Sequence, residues 1–203
     1  MSAKTKGKEI VIPSVNLAQI SIKIRGVTPL ITNKFPESTK KAIEEKQGMK
    51  AKAASNKGRG ARDPEKEFKE SLYEVPGQPD VYGLPAGGIK KALVTAGGRF
   101  TEQKMTILRG AFSITGEVIP ILGSKPQMRT DVVRLQGMGR PADLRYRAEF
   151  RKWSMDIPII FNADIVSVDQ VVGLFQICGF SVGFGDWRPE CNGIYGQFEV
   201  VNE

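Results

Sequence analysis

Two glycine-rich stretches hold the residue types best suited to chemistry in this chain. The first reads Tyr82-Gly83-Leu84-Pro85-Ala86-Gly87-Gly88-Ile89-Lys90-Lys91-Ala92-Leu93. A glycine-rich turn feeding a helix offers free backbone N–H groups at the positive end of the helix dipole. Gly87 and Gly88, followed at once by Lys90 and Lys91, therefore make a workable phosphate cradle. The GK[ST] ending of a Walker loop is absent, and the same glycines would also serve close packing where loop meets helix. The second stretch reads Gly179-Phe180-Ser181-Val182-Gly183-Phe184-Gly185-Asp186-Trp187-Arg188-Pro189, then Gly193-Ile194-Tyr195-Gly196-Gln197-Phe198. Gly183, Gly185, Gly193 and Gly196 would let backbone approach a partner closely. Trp187, Arg188 and Tyr195 would add stacking and phosphate contacts beside it. The structural alternative makes Gly179 only a helix C-cap and Gly196 only a tight strand crossing.

Charge points the same way. The chain carries 30 basic against 22 acidic residues, a net +8, and its pI near 9.5 is an electrostatic footprint of nucleic-acid partners. The excess is clustered. Lys40, Lys41, Lys46, Lys50, Lys52, Lys57, Arg59 and Arg62 face only Glu44 and Glu45. That stretch has too few apolar residues to offset the entropy of ordering it, so a mobile basic loop is expected. Lys125, Arg129, Arg134, Arg140, Arg145, Arg147, Arg151 and Lys152 form a second cluster against Asp131, Asp143 and Glu149. Its arginines suit planar forks gripping phosphate.

Several chemistries are excluded as usually built. There is no histidine, which removes the commonest general base and metal ligand together. Cys178 and Cys191 are the two cysteines, with no CxxC pair, so neither a disulfide framework nor a thiolate zinc site is expected. The acids are scattered, and no metal, cofactor or catalytic residue is assigned. No window reaches the roughly 18 apolar residues of a membrane span. The polar, lysine-rich start predicts no secretory signal, and a reducing cytoplasm fits.

Periodicity supplies the elements that must hold these residues. Ile20, Ile22 and Ile24 alternate with Ser21, Lys23 and Arg25 as a half-buried first strand. A helix over residues 86–96 puts Ile89, Leu93 and Ala96 on one face and ends at Gly97-Gly98. Phe112, Ile114, Gly116 and Val118 begin a second strand that runs on towards Leu122. Trp153, Met155, Ile157, Ile159 and Phe161 make a third, interrupted by Pro158, which calls for a bulge or an early end. Ser167 and Gln170 form a capping box for a second helix through Val171, Phe175 and Cys178, stopped by Gly179. Ile194, Gly196, Phe198 and Val200 make a fourth strand. The order β-α-β-β-α-β predicts an α+β, ferredoxin-like (RRM-like) core in one domain spanning residues 1–203. Two insertions interrupt it: residues 33–80, with the lysine-rich loop and a short helix opened by Asp63-Pro64, and residues 123–150, an arginine-rich hairpin. The outer sheet face (Ser21, Lys23, Arg25, Ser113, Thr115, Ser154, Asp156) has no paired aromatics on which bases could stack.

On this topology the two glycine-rich motifs resemble those of the RAMP superfamily of CRISPR proteins. Its first helix is preceded by a pattern like I-P-G-S-S-[LI]-K-G-A-L, here Leu84-Pro85-Ala86-Gly87-Gly88-Ile89-Lys90-Lys91-Ala92-Leu93. Its C-terminal glycine-rich loop is matched by Gly183-Phe184-Gly185 and Gly193-Ile194-Tyr195-Gly196. The chain looks most similar to the crRNA-binding backbone subunits of multi-subunit effectors. That resemblance implies a hand-like protein whose insertions grip guide RNA, with residues 131–147 as a thumb and Leu135 or Met138 as its apolar wedge. The lineage's processing nucleases often use histidine, which is missing here. Asp131 and Asp143 have no motif that would assign them target cleavage. The pattern also resembles phage-encoded proteins.

The resulting expectation is a non-enzymatic, single-stranded RNA-binding protein that oligomerises head to tail along the strand, with other effector subunits as further partners. Its contacts would come from Lys23, Arg25, Lys50, Lys52, Lys57, Arg59, Arg62, Lys90, Lys91, Arg129, Arg134, Arg140, Arg145, Arg147, Trp187 and Arg188. Two alternatives stand beside it: a phage protein that binds and anneals single-stranded DNA, and a backbone-subunit mimic that caps or inhibits an effector.

Overall fold

Alternating isoleucines turn Ile22 and Ile24 inward from Leu17–Gly26 (β1) and leave Gln19, Ser21, Lys23 and Arg25 outside. The strand belongs to a computed structural model that describes residues 14–35, 63–134 and 142–201. After β1 come Leu30–Thr32 (β2) and the helix Pro64–Glu70 (α1). Asp63 caps α1 as expected, its Oδ1 accepting from the N–H groups of Glu65 at 3.1 Å and Lys66 at 3.2 Å, with proline at the first helical position. Glu74–Val75 (β3) and Gln78–Pro85 (β4) lead into Ala86–Phe100 (α2). Met105–Ala111 (α3), Phe112–Ile114 (β5), Val118–Pro120 (β6) and Leu122–Gly123 (β7) follow. Gln127–Arg134 (β8), Ala142–Phe150 (β9) and Trp153–Asn162 (β10) come next, then Val168–Ser181 (α4), a 3-10 turn at Pro189–Cys191, and Phe198–Val200 (β11).

The fold is α+β. Its main sheet has the order β11-β1-β10-β5, with β7 beside the other end of β10. Every pairing is antiparallel, so β1 and β5 run parallel with β10 between them, which is a split βαβ connection. Helices α2 and α4 pack on this sheet through one apolar core. Ile89 and Leu93 from α2 and Phe175 and Cys178 from α4 meet Ile24, Ile157 and Phe161 there. Two smaller sheets, β2-β9-β8 and β3-β4-β6, join the same core through Leu30, Ala148, Phe150, Leu84 and Ile119.

Four details correct the sequence reading. Helix α2 runs through Gly97-Gly98, because those glycines admit α3: a Cβ on either would run into Leu108 or Met105. Helix α4 runs through Gly179, where a Cβ would meet the carbonyl of Phe198 in β11. The second strand does not continue to Leu122. It turns at Gly116 (φ 103°), and β6 leaves the main sheet to pair with β4. The fourth strand begins only at Phe198, and Ile194 is 68% exposed.

Pro158 needs neither bulge nor early end. The β1–β10 register is unbroken from Leu17 opposite Asn162 to Arg25 opposite Ser154. The Pro158 carbonyl accepts from Thr115 N–H at 2.9 Å. Its missing N–H faces that same side, opposite Thr115 just past the end of β5, so proline forgoes only the terminal bond of that ladder and none toward β1.

Candidate nucleic-acid interface

The two glycine-rich motifs meet at one cleft of about 280 Å³, between the start of α2 and the loop that follows α4. Leu84, Gly88 and Lys91 line one side, and Gly185, Asp186 and Arg188 the other. Pro85 is the N-cap of α2 and supplies no side-chain cap. Ala86 N–H is taken by the Glu117 carbonyl at 2.8 Å. The N–H groups of Gly87 and Gly88 that follow in the first turn have no intrahelical acceptor, and Gly88 lines the cleft. Gly87 and Gly88 are exposed. A Cβ on Gly87 would touch nothing, and one on Gly88 would only meet Pro85 Cγ at 3.8 Å. Packing therefore does not require glycine there.

The other glycines behave differently. Gly185 and Gly196 sit at φ 74° and 68°, and a Cβ on them would run into the carbonyls of Ile31 and Phe184. At Gly193 the obstacle would be the Trp187 carbonyl, and at Gly183 the ring of Pro189 at 2.8 Å. The close backbone approaches these residues permit are to the chain itself. They fold the loop that forms the cleft wall. Arg188 locks that loop, donating to the Gly185 carbonyl at 3.0 Å and to Glu190 Oε2 at 2.6 Å.

Part of the arginine cluster is taken up by ion pairs within the chain: Arg147 is buried and Arg129 and Arg145 half-buried, while Lys125, Arg134, Arg151 and Lys152 are exposed. Alternation along β8 and β9 puts Arg129, Asp131, Arg145, Arg147 and Glu149 on one face of the hairpin. Arg129 donates to Asp131 Oδ1 at 2.8 Å and Glu149 Oε1 at 3.2 Å, and Arg145 pairs with Asp143 at 3.2 Å. Arg147, 9% exposed, lies 3.5 Å from Asp131 Oδ2 and 3.4 Å from Asp186 Oδ2. Desolvation pulls the Arg129 guanidinium down, but hydrogen bonds to Asp131 and Tyr195 outweigh it and hold it above its ordinary value. Arg129 also sits 4.7 Å over the Tyr195 ring and Arg147 5.9 Å over that of Trp187, so each aromatic has one face covered by a guanidinium. This network fastens the hairpin to the glycine-rich loop.

Of the other expected contact residues, Lys91 is exposed at the cleft and Lys90 is half-buried beside it. Arg134 is exposed at the end of β8, and Trp187 is 41% exposed. On the outer sheet face Lys23 is exposed, Arg25 is paired with Glu199 at 2.6 Å, and Ser21 bonds Asp156. Lys50, Lys52, Lys57, Arg59, Arg62, Arg140, Leu135 and Met138 lie outside the described residues, as does the expected basic loop. Sequence reasoning passed over Thr32, Asn33 and Glu190, which line the cleft. The run Leu30-Ile31-Thr32, too short to assign, marked the first of them. Among the described residues no group of three or more carboxylates and thiols gathers as a metal would require, and no helix is long and apolar enough to cross a membrane. Burial, followed by the charge of Glu190, pushes the Cys178 thiol up, the opposite of what activates a nucleophile.

Fold and site together define an α+β protein with a glycine-lined cleft at an uncapped helix end. No protein-family model matches the chain, and no curated protein matches its sequence. Among solved structures it is similar to a chain in the cryo-EM structure of the Type III-B Cmr-beta bound to cognate target RNA. That match has 14% identity and a TM-score of 0.53, and covers 92% of this chain. This chain spans 60% of the length of that one. Cmr6 from Pyrococcus furiosus also matches, at 11% identity and a TM-score of 0.41, over 93% of this chain and all of Cmr6. The likeness to the Cmr-beta chain is one of fold.

Proposed function

We propose that this protein is a non-catalytic subunit that binds single-stranded RNA and repeats head to tail along it, as a CRISPR effector backbone does. The observation that carries this reading is the convergence of both glycine-rich motifs on one cleft, with the free end of α2 and Lys91 beside it. A strand phosphate fits there because backbone N–H groups, the helix dipole and a lysine all favour an anion. The RNA in the Cmr-beta structure is consistent with such a role.

The ion pairs that Arg25, Arg129, Arg145 and Arg147 make within the chain favour a second reading. A chain that satisfies its own arginines could act chiefly through a protein partner, as a mimic of a backbone subunit. The absorbance ratio at 260 and 280 nm and the light-scattering mass of the purified chain separate the two, before and after RNase, DNase and a high-salt wash. Large RNase-sensitive particles are the expected result. DNase-sensitive particles replace RNA with DNA. A monomer that shifts no labelled single strand at low salt overturns strand binding and leaves the mimic.

A further inference from the structure

Trp187 sits where neither core packing nor backbone preference would put it. Its φ is 55°, in the left-handed region that a bulky side chain rarely adopts. Such a backbone persists only where its surroundings hold it, and strain of this kind gathers at functional sites. The hold is visible on both sides. Asp186 N–H donates to the Ile31 carbonyl at 2.8 Å, and Arg188 is fixed by the Gly185 carbonyl and Glu190. The Trp187 carbonyl accepts from Tyr195 N–H at 3.1 Å and lies so close to Gly193 that a Cβ there would collide with it. The indole held in this way is outside the apolar core. Trp153, by contrast, is in the core, 3% exposed, with Nε1 donating to the Thr28 carbonyl at 2.8 Å. Trp187 is 41% exposed, a large flat apolar surface left in water.

One face of that ring is backed. The Arg147 guanidinium lies 5.9 Å from its centroid and is itself held near Asp131 and Asp186, so the exposed part of the indole lies away from Arg147. A cation already on one face disfavours a second cation on the other, whereas an uncharged flat ring can still stack there. Asp186 and Arg188, the neighbours of Trp187 on either side, both line the cleft. A nucleobase is the uncharged flat ring that a strand in that cleft would bring. We infer that Trp187 is a stacking platform for one unpaired base of the bound strand, of any identity, since every base has a π-face. This rests on the strand-binding reading above and adds to its phosphate contacts a residue that engages the base.

The test uses the full chain and two labelled strands of equal length, oligoadenylate and an abasic ribose-phosphate strand. The wild-type protein should bind oligoadenylate roughly tenfold tighter than the abasic strand, within the range one stacked base confers. Oligoadenylate should also quench its tryptophan emission, whereas the abasic strand should not; with Trp153 buried, that quenching reports Trp187. Trp187→Gly removes the ring and relieves the left-handed backbone. It should bind both strands alike, at the wild-type affinity for the abasic one. Trp187→Tyr keeps a ring and should retain most of the preference. Thermal melts of both variants separate lost stacking from lost folding, and the wild-type strand ratio and quenching need no variant. A wild-type protein that binds both strands equally overturns the inference while strand binding stands. So does a folded Trp187→Gly protein that keeps the wild-type ratio or weakens equally on both strands. A wild-type protein that binds neither strand overturns strand binding itself.

Discussion

Asp131 is the residue on which the hairpin's charges converge. It is 8% exposed, accepts from Arg129 and faces Arg147 at 3.5 Å. Arg147 Nε and Nη1 and Asp131 Oδ2 make no hydrogen bond, so Coulomb attraction alone compensates their desolvation. Such a pair is worth little against an apolar replacement but is costly to break from one side, since the surviving charge stays buried. Asp131→Ala should therefore destabilise by about 3 kcal/mol, and Arg147→Met by a comparable amount. The double variant should lose less than the sum of the two, by about 1 kcal/mol or more. Urea denaturation of the wild type, both single variants and the double variant measures that coupling. Additive losses would show that the two side chains do not act on each other.

Helix α4 shows what the sequence could and could not reveal about an element. Its start was legible because capping is local: Ser167 Oγ accepts from Gln170 N–H at 3.2 Å, and Gln170 Oε1 accepts from Ser167 N–H at 2.9 Å. Its end was not, because a glycine that caps and a glycine that admits a neighbour look alike until the neighbour is placed. The same holds for Gly97-Gly98 in α2, and for β2, whose three residues gain meaning only by pairing with β9. The meeting of the two glycine-rich motifs at one cleft needed the folded chain, whereas the motifs themselves did not. Two substitutions in α4 test the distinction. A methyl group added at Gly173 would meet nothing within 4 Å, so Gly173→Ala should stabilise by roughly 0.5–1 kcal/mol through helix propensity. Gly179 abuts the backbone of Phe198, and Gly179→Ala should destabilise by about 2 kcal/mol as β11 is pushed away. Thermal melts giving shifts of the same sign would refute this reading of Gly179.

At the scale of the whole molecule, a net charge of +8 does not say which cations a strand would meet. Arg25 already has Glu199 at 2.6 Å, and Arg129 and Arg147 of the hairpin are held by Asp131, Glu149 and Asp186. A cation that keeps its internal partner neutralises no phosphate and displaces no counterion from a bound strand. Lys91 is different: it is exposed at the cleft beside the free N–H groups of α2. Salt dependence distinguishes the two classes, since each phosphate neutralised on a single strand adds about 0.7 to the slope of log affinity against log salt. Lys91→Ala should weaken RNA binding and flatten that slope by about 0.7, whereas Arg25→Gln should leave it unchanged. Titrations of both variants at several salt concentrations decide the matter. If Arg25→Gln flattens the slope as much as Lys91→Ala, the strand runs over the outer sheet face and exchanges Glu199 for phosphate. If only Lys91→Ala does, the path of the strand passes through the cleft.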